Sequence, residues 1–173
     1  MGENLKKFKP FGPYNLKFET LPGGKRITKE HTNLFKSDLS EKIRNGKGIY
    51  IFGMTVTKGI TPCYVGKTNN SFENECFTGR NLNIYNGQIL AYKRKHKPFL
   101  FFLVYQYQKN HKISNKIIKE LEKYVINLAL EKNSHLANIQ GAGKSERFYI
   151  DCGGSSGGRP TKEGSFFKKM MKF

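Results

Sequence analysis

The chain has 173 residues, room for one ordinary domain with modest extensions but not for two full domains. Hydrophobic residues make up 37% of it and aromatics 13%, so a packed core is expected without disulfides or an obligatory cofactor. Lys and Arg number 31 against 13 acidic residues, and a net charge of +18 makes nucleic acid the expected partner; a ribosomal-type RNA binder and a protein docking on anionic membranes are the rivals.

No apolar stretch approaches the ~20 residues that span a bilayer. The opening MGENLKKFKPFGPYNLKF has no apolar segment of secretory type, and Lys6 stands where a myristoylation signal wants Ser or Thr. A soluble, cytoplasmic protein without membrane contact is the expectation. Cys63, Cys76 and Cys152 are an odd count with no C-x-x-C spacing, which suggests neither a disulfide framework nor a zinc site. His31, His96, His111 and His135 are scattered and form no metal-ligand pattern.

In chain order, residues 1–45 read as an extension of mixed character, suited to DNA or dimer contacts. Within it Asn15 to Leu21 suggests a strand and Gly23-Gly24 a turn. Thr32 to Arg44 suggests a helix with Phe35, Leu39 and Ile43 at spacing four, stopped by Asn45-Gly46. Residues 46–140 form the expected core. GIYIFGMTV (48–56) and TPCYVG (61–66) are β-rich and separated by Thr57-Lys58-Gly59-Ile60, a hairpin signal. Gln88 to Lys95 reads as helical up to Pro98, and FLFFLVY (99–105) as a strand buried on both faces. Ser114 to Lys132 is the clearest helix. Residues 141–173 comprise a short strand at Arg147 to Cys152, a Gly/Ser-rich linker and a basic tail, FFKKMMKF.

On a wheel of roughly 100° per residue, Tyr124, Ile117, Leu128, Leu121, Val125, Ile118, Ala129 and Ile126 fill one apolar arc of the long helix. Glu122 falls inside that arc. A carboxylate on a core-facing position costs free energy unless it is paired, metal-bound or able to reach solvent at the arc's edge. Tyr50 and Tyr64 lie on the two strands of the hairpin, and Lys67 follows as the chain leaves it.

Gly48-Ile49-Tyr50 followed by Tyr64-Val65-Gly66-Lys67 resembles the paired motif of the GIY-YIG nucleases. The likeness continues through Arg80, through Glu122 with Val125 and Ile126 behind it, and through Asn138 in Leu136-Ala137-Asn138, covering roughly half of the chain. It implies an α+β fold, a small mostly antiparallel three-stranded sheet flanked by helices, carrying a phosphodiester hydrolase site on one face. It implies Glu122 as the sole protein ligand of one divalent ion per site, Mg2+ or Mn2+. Tyr64 would act as general base toward water or orient it, Lys67 would lower that phenol's pKa, and Arg80 would hold the scissile phosphate. Tyr50 would position water or a phosphate oxygen, and Asn138 would brace the site.

The interval from Tyr64 to Arg80 exceeds the family's usual spacing, which keeps Arg94 as a second candidate. Tyr85 is near, but not at, the place of the family's His or Tyr after the arginine. Register adds a requirement. For Tyr50 and Tyr64 to share a face, paired residue numbers must have an even sum, and a two-residue Lys58-Gly59 turn gives an odd one. An odd-length loop or a bulge near Gly53 or Gly59 is therefore required.

TPCYVGKT (61–68) and NIQGAGKS (138–145) lack the first glycine of a phosphate-binding P-loop, so no nucleotide cofactor is expected. Lys93, Arg94, Lys95 and Lys97 are candidate phosphate contacts. The sequence reading is thus a metal-dependent endonuclease of double-stranded DNA, of free-standing restriction type because little chain flanks the core, acting as a homodimer on the DNA. A repair or structure-specific nuclease and a non-catalytic nucleic-acid binder are the alternatives.

Overall fold

The computed structural model of the chain describes residues 7–57, 59–92, 95–106, 113–154 and 158–172. It is an α+β fold. Strand β1 (Phe8–Asn15) is followed by a small separate sheet of β2 (Glu19–Leu21) and β3 (Gly24–Arg26), then by helices α1 (Lys29–Asp38) and α2 (Glu41–Arg44). The hairpin β4 (Gly48–Val56) and β5 (Gly59–Thr68) comes next, then α3 (Phe72–Glu75) and α4 (Gly79–Ala91). Strand β6 (His96–Tyr105), helix α5 (Asn115–Lys132), a 3-10 turn (Ile139–Gly141) and α6 (Lys162–Met171) complete the described elements.

The main sheet has the order β1-β6-β4-β5, with every pairing antiparallel. It is covered on both faces, so β4 and β6 are apolar almost throughout rather than alternating. Ile49, Ile51, Phe99, Phe101 and Leu103 pack with α5 and α6. Tyr50, Phe52, Leu100, Phe102 and Val104 pack on the opposite face with residues of α1 to α4. The apolar arc of α5 is seated as its periodicity predicts: Ile118, Leu121, Val125, Ile126 and Ala129 are buried.

Several sequence expectations are corrected. The sheet has four strands, not three, because residues 8–15 of the supposed extension pair with β6. The strand placed at Asn15 to Leu21 is instead the end of β1 and, after a break, β2. The helix placed over Thr32 to Arg44 starts at Lys29 and is split at Leu39-Ser40, although Phe35, Leu39 and Ile43 are buried as expected. Helix α4 begins nine residues before Gln88 and ends at Ala91; Pro98 lies inside β6, opposite Met54.

Arg147 to Cys152 is no strand; Ile150 makes a single bridge to Phe8. The tail is helical, with Phe167, Met170 and Met171 fully buried against the sheet. No described helix is long and apolar enough to cross a membrane.

Candidate active site

The hairpin meets the register requirement through a bulge. Val56 pairs with Gly59 and Gly53 with Pro62, both odd sums, whereas Phe52 pairs with Tyr64 and Tyr50 with Gly66, both even. Cys63 is the extra residue at the shift, directly across from the step between Phe52 and Gly53. As a result Cys63 and Tyr64 both face the α1–α4 layer, while Ile60 and Val65 face α5. Tyr50 and Tyr64 therefore share a face, their ring centroids 6.2 Å apart.

The two motif glycines have structural reasons. A β-carbon on Gly66 would lie 2.2 Å from Tyr50 Cζ, so the phenol can lie across the partner strand only over a glycine. Gly48 has φ +143, a conformation side chains rarely adopt, and a β-carbon there would meet the Leu103 carbonyl oxygen.

Helix α4 delivers the next groups. The Thr78 hydroxyl accepts from Asn81 N at 3.4 Å and caps the helix start, which sets Arg80 and Asn81 beside the hairpin. Asn81 is buried. Its Nδ2 donates to Tyr50 Oη at 2.8 Å and to the Glu75 carbonyl at 2.7 Å, and its Oδ1 accepts from Tyr64 Oη at 3.3 Å. Arg80 is exposed, and no acidic partner is within bonding distance among the described residues. Tyr85 is fully buried, stacked on Phe52 at 4.3 Å and edge-on to Tyr64.

Helix α5 contributes from the other face of the sheet. Glu122 Oε2 accepts from Lys67 Nζ at 2.7 Å, and both side chains are partly exposed. Lys67 follows Gly66 by one residue and so emerges on the α5 side, opposite the phenols. Between the two layers runs the free edge of β5, where Asn138 Oδ1 accepts from Val65 N at 3.2 Å and Asn138 Nδ2 donates to Val65 O. Ala137 N donates to Cys63 O and Asn133 Nδ2 to Pro62 O, which pairs two more carbonyls of that edge.

The groups meet in one cleft of about 680 Å³, lined by Tyr50, Tyr64, Lys67, Arg80, Glu122 and Asn138 among others. All six core candidates are therefore brought together. The site does not lie on one face of the sheet, as expected, but straddles its β5 edge, with phenols from one side and carboxylate and ammonium from the other.

Burial pushes the Tyr50 phenol far above its ordinary value, with Tyr64, Cys76 and Glu75 adding to the rise. Tyr64 is also raised, first by burial; a hydrogen bond from Tyr50 and the Arg80 charge oppose this, while Glu122 and Glu75 reinforce it. The cation acting on Tyr64 is thus Arg80. Lys67, expected in that role, is engaged by Glu122.

Of the weaker candidates, Lys97 pairs with Thr55, roughly 17 Å along β4 from Tyr50, and Lys95 just precedes β6. Neither lines the cleft. Lys93 and Arg94 lie outside the described residues. TPCYVGKT lies largely in β5, an antiparallel strand rather than a strand-to-helix phosphate loop.

The sequence reading does not include Glu75, which lines the cleft, or Asn81, buried behind it against the two phenols. Glu75 stands in a polar stretch where no periodicity marks it. Asn81 shares a buried face with Tyr85 and Ile89 at spacing four, the same polar-residue-in-an-apolar-arc signal that singled out Glu122. That signal lies in the first half of α4, ahead of the helix expected from Gln88.

Among the described residues there is no cluster of three or more His, Cys, Asp or Glu side chains. Glu122 is nevertheless a donor of the right kind for a hard cation: it is partly exposed, it faces an open polar cleft, and no described side chain is bonded to its Oε1. One or two carboxylates with water and phosphate oxygens suffice for Mg2+. Compared with protein-family models, curated proteins and solved structures, the chain matches none.

Proposed function

We propose that this protein is a divalent-metal-dependent endonuclease that hydrolyses DNA phosphodiester bonds, a nuclease of GIY-YIG type. One observation carries the reading: six residues spread from position 50 to position 138 line a single polar cleft, and they are the residues singled out by the resemblance. The charge balance supports it. The described residues contain two ion pairs, Lys67–Glu122 and Lys123–Glu120, so most of the described cations have no acidic partner among them and are free to meet a polyanion.

Each side chain has a part in this chemistry. Arg80, exposed and without an acidic partner among the described residues, binds the scissile phosphate and stabilises the charge that develops on it. Tyr64, once its own proton has gone to solvent, takes the proton from the attacking water as the oxygen of that water bonds to phosphorus and the P–O bond to the leaving sugar oxygen breaks. Tyr50, raised by burial, stays protonated beside Tyr64. Glu122 would hold Mg2+ or Mn2+, with Lys67 keeping its carboxylate in place. Such an ion, when bound, supplies Lewis-acid polarisation of the phosphate and stabilises the leaving oxygen. Asn138 braces the β5 edge on which Tyr64 and Lys67 stand. Cutting both strands of duplex DNA calls for two such sites, which a pair of chains on the DNA supplies.

The test is incubation of the protein with mixed plasmid DNA and Mg2+. Discrete fragments are the outcome expected of a sequence-specific, restriction-type enzyme. Nicks or a smear assign it to repair or structure-specific cutting, and binding without cleavage reduces it to a nucleic-acid binder.

A further inference from the structure

We propose, resting on the nuclease reading, that Lys67 is a built-in counter-ion that keeps Glu122 a weak cation site in the free protein, so that the divalent ion is taken up together with DNA. Lys67 Nζ donates to Glu122 Oε2 at 2.7 Å. The carboxylate thus already holds a cation on one oxygen, and Oε1 alone is left to a second. Among the described residues, the charged side chains lining the cleft are Lys67, Arg80, Glu75 and Glu122, whose charges cancel. Around this neutral cleft the whole chain carries +18, a field that repels a divalent cation and attracts a polyanion.

The affinity of a site for a hard divalent ion follows the negative charge that its ligands supply. Glu75 and Arg80 stand on α3 and α4, in the layer that carries the phenols, whereas Glu122 and Lys67 meet on the α5 side. The charge local to Glu122 is therefore cancelled by Lys67 itself. An ion on Oε1 would meet an ammonium beside its one acidic ligand there, and that repulsion weakens its hold. A DNA phosphate bound by Arg80 changes the balance, because it brings both negative charge and oxygen ligands into the cleft. Linkage makes the gain mutual: DNA tightens ion binding by the same factor by which the ion tightens DNA binding. Lys67 is in this sense a positioning residue. It keeps Oε2 for itself, confines the ion to Oε1, and sets the affinity of the free site below the level at which the ion binds without DNA.

The test is Mn2+ binding to the full-length chain without DNA, read from the loss of the free-ion electron paramagnetic resonance signal. Lys67→Met, which removes the charge and keeps most of the stem, should bind Mn2+ at least ~10-fold more tightly than the wild type. Lys67→Arg, which keeps the charge, should stay close to the wild-type value. Should Lys67→Met fail to fold, Lys67→Gln makes the same comparison. Equal or weaker binding once the charge is gone overturns the proposal, and so does a gained ion that survives in Lys67→Met/Glu122→Gln. The mutual gain is read from fluorescence anisotropy of a labelled duplex of mixed sequence at constant ionic strength. Mn2+ should tighten wild-type binding on the order of tenfold and leave Glu122→Gln unchanged; no gain in the wild type overturns the coupling. A wild type that cleaves plasmid DNA while Lys67→Met shows no tighter Mn2+ binding sinks this role of Lys67 and leaves the nuclease reading standing. A wild type that cleaves nothing removes the nuclease reading, while the Mn2+ comparison still decides whether Lys67 bars the ion.

Discussion

Glu122 and Arg80 act on the same phenol with opposite sign, which makes the site's electrostatics testable one residue at a time. Glu122 raises Tyr64 and Arg80 lowers it. Neutralising the carboxylate in Glu122→Gln should move the Tyr64 titration down, and Arg80→Ala should move it up. Both variants should cleave DNA at least ~100-fold more slowly, since each loses a group aimed at developing charge. Glu122→Gln should also keep its affinity for DNA in a gel-shift assay; robust cleavage by that variant would remove Glu122 from the site. Gly66 gives a steric test. An added methyl would lie 2.4 Å from Tyr50 Oη, in a place where only the phenol or the strand can yield. Gly66→Ala should cost about 2 kcal/mol in urea unfolding and displace Tyr50, so cleavage falls even where the variant stays folded.

The elements explain why these residues meet at all. Helices α4 and α5 lie on opposite faces of the sheet, and a site fed by both forms only where a strand edge ends the barrier between them. Strand β5 is that edge, and the Cys63 bulge turns Tyr64 toward α4 while Val65 and Lys67 stay on the α5 side. Asn138 fills the edge itself by pairing both backbone groups of Val65. Helix α6 matters in another way, as core rather than tail. Phe167 is fully buried, its ring 6.0 Å from that of Phe101. Phe167→Ala should therefore destabilise the fold by about 3–5 kcal/mol in a denaturant titration. A change below ~0.5 kcal/mol, typical of surface sites, would mean that α6 does not dock on the sheet.

For the molecule as a whole, packing so many phenols and thiols inside has a consequence for stability. Burial raises Tyr50, Tyr64, Tyr85 and Cys76, and pushes Cys63 up from 9.0 to about 11. A raised acid keeps its proton in the folded chain at pH values where the unfolded chain has released it. The stabilisation is complete below pH 9 and is lost as pH climbs through 9 for the thiols and 10 for the phenols. Cys63 alone accounts for about 3 kcal/mol between pH 9 and 11. Thermal unfolding should show a falling midpoint over that interval, and a shallower fall in Cys63→Ala. Equal slopes would assign the loss to other groups.

The sequence by itself determined whatever local periodicity or composition encodes. The apolar arc of α5 with Glu122 inside it, the doubly buried run of β6, the hairpin and the excess of positive charge were all legible, because each is a property of neighbouring residues or of their sum. The register rule went further and demanded an irregularity between β4 and β5. It could not choose Cys63, since a bulge is settled by how both faces pack. Helix α4 was half missed: Gly79, Asn81, Asn83, Asn86 and Gly87 are poor helix formers, and packing of Tyr85 and Ile89 against the sheet overrides them. The role of β1, the docking of α6 and the position of Asn81 between two phenols belong to the tertiary structure alone. Each depends on contacts between segments distant along the chain, and no local pattern carries the free energy of such contacts.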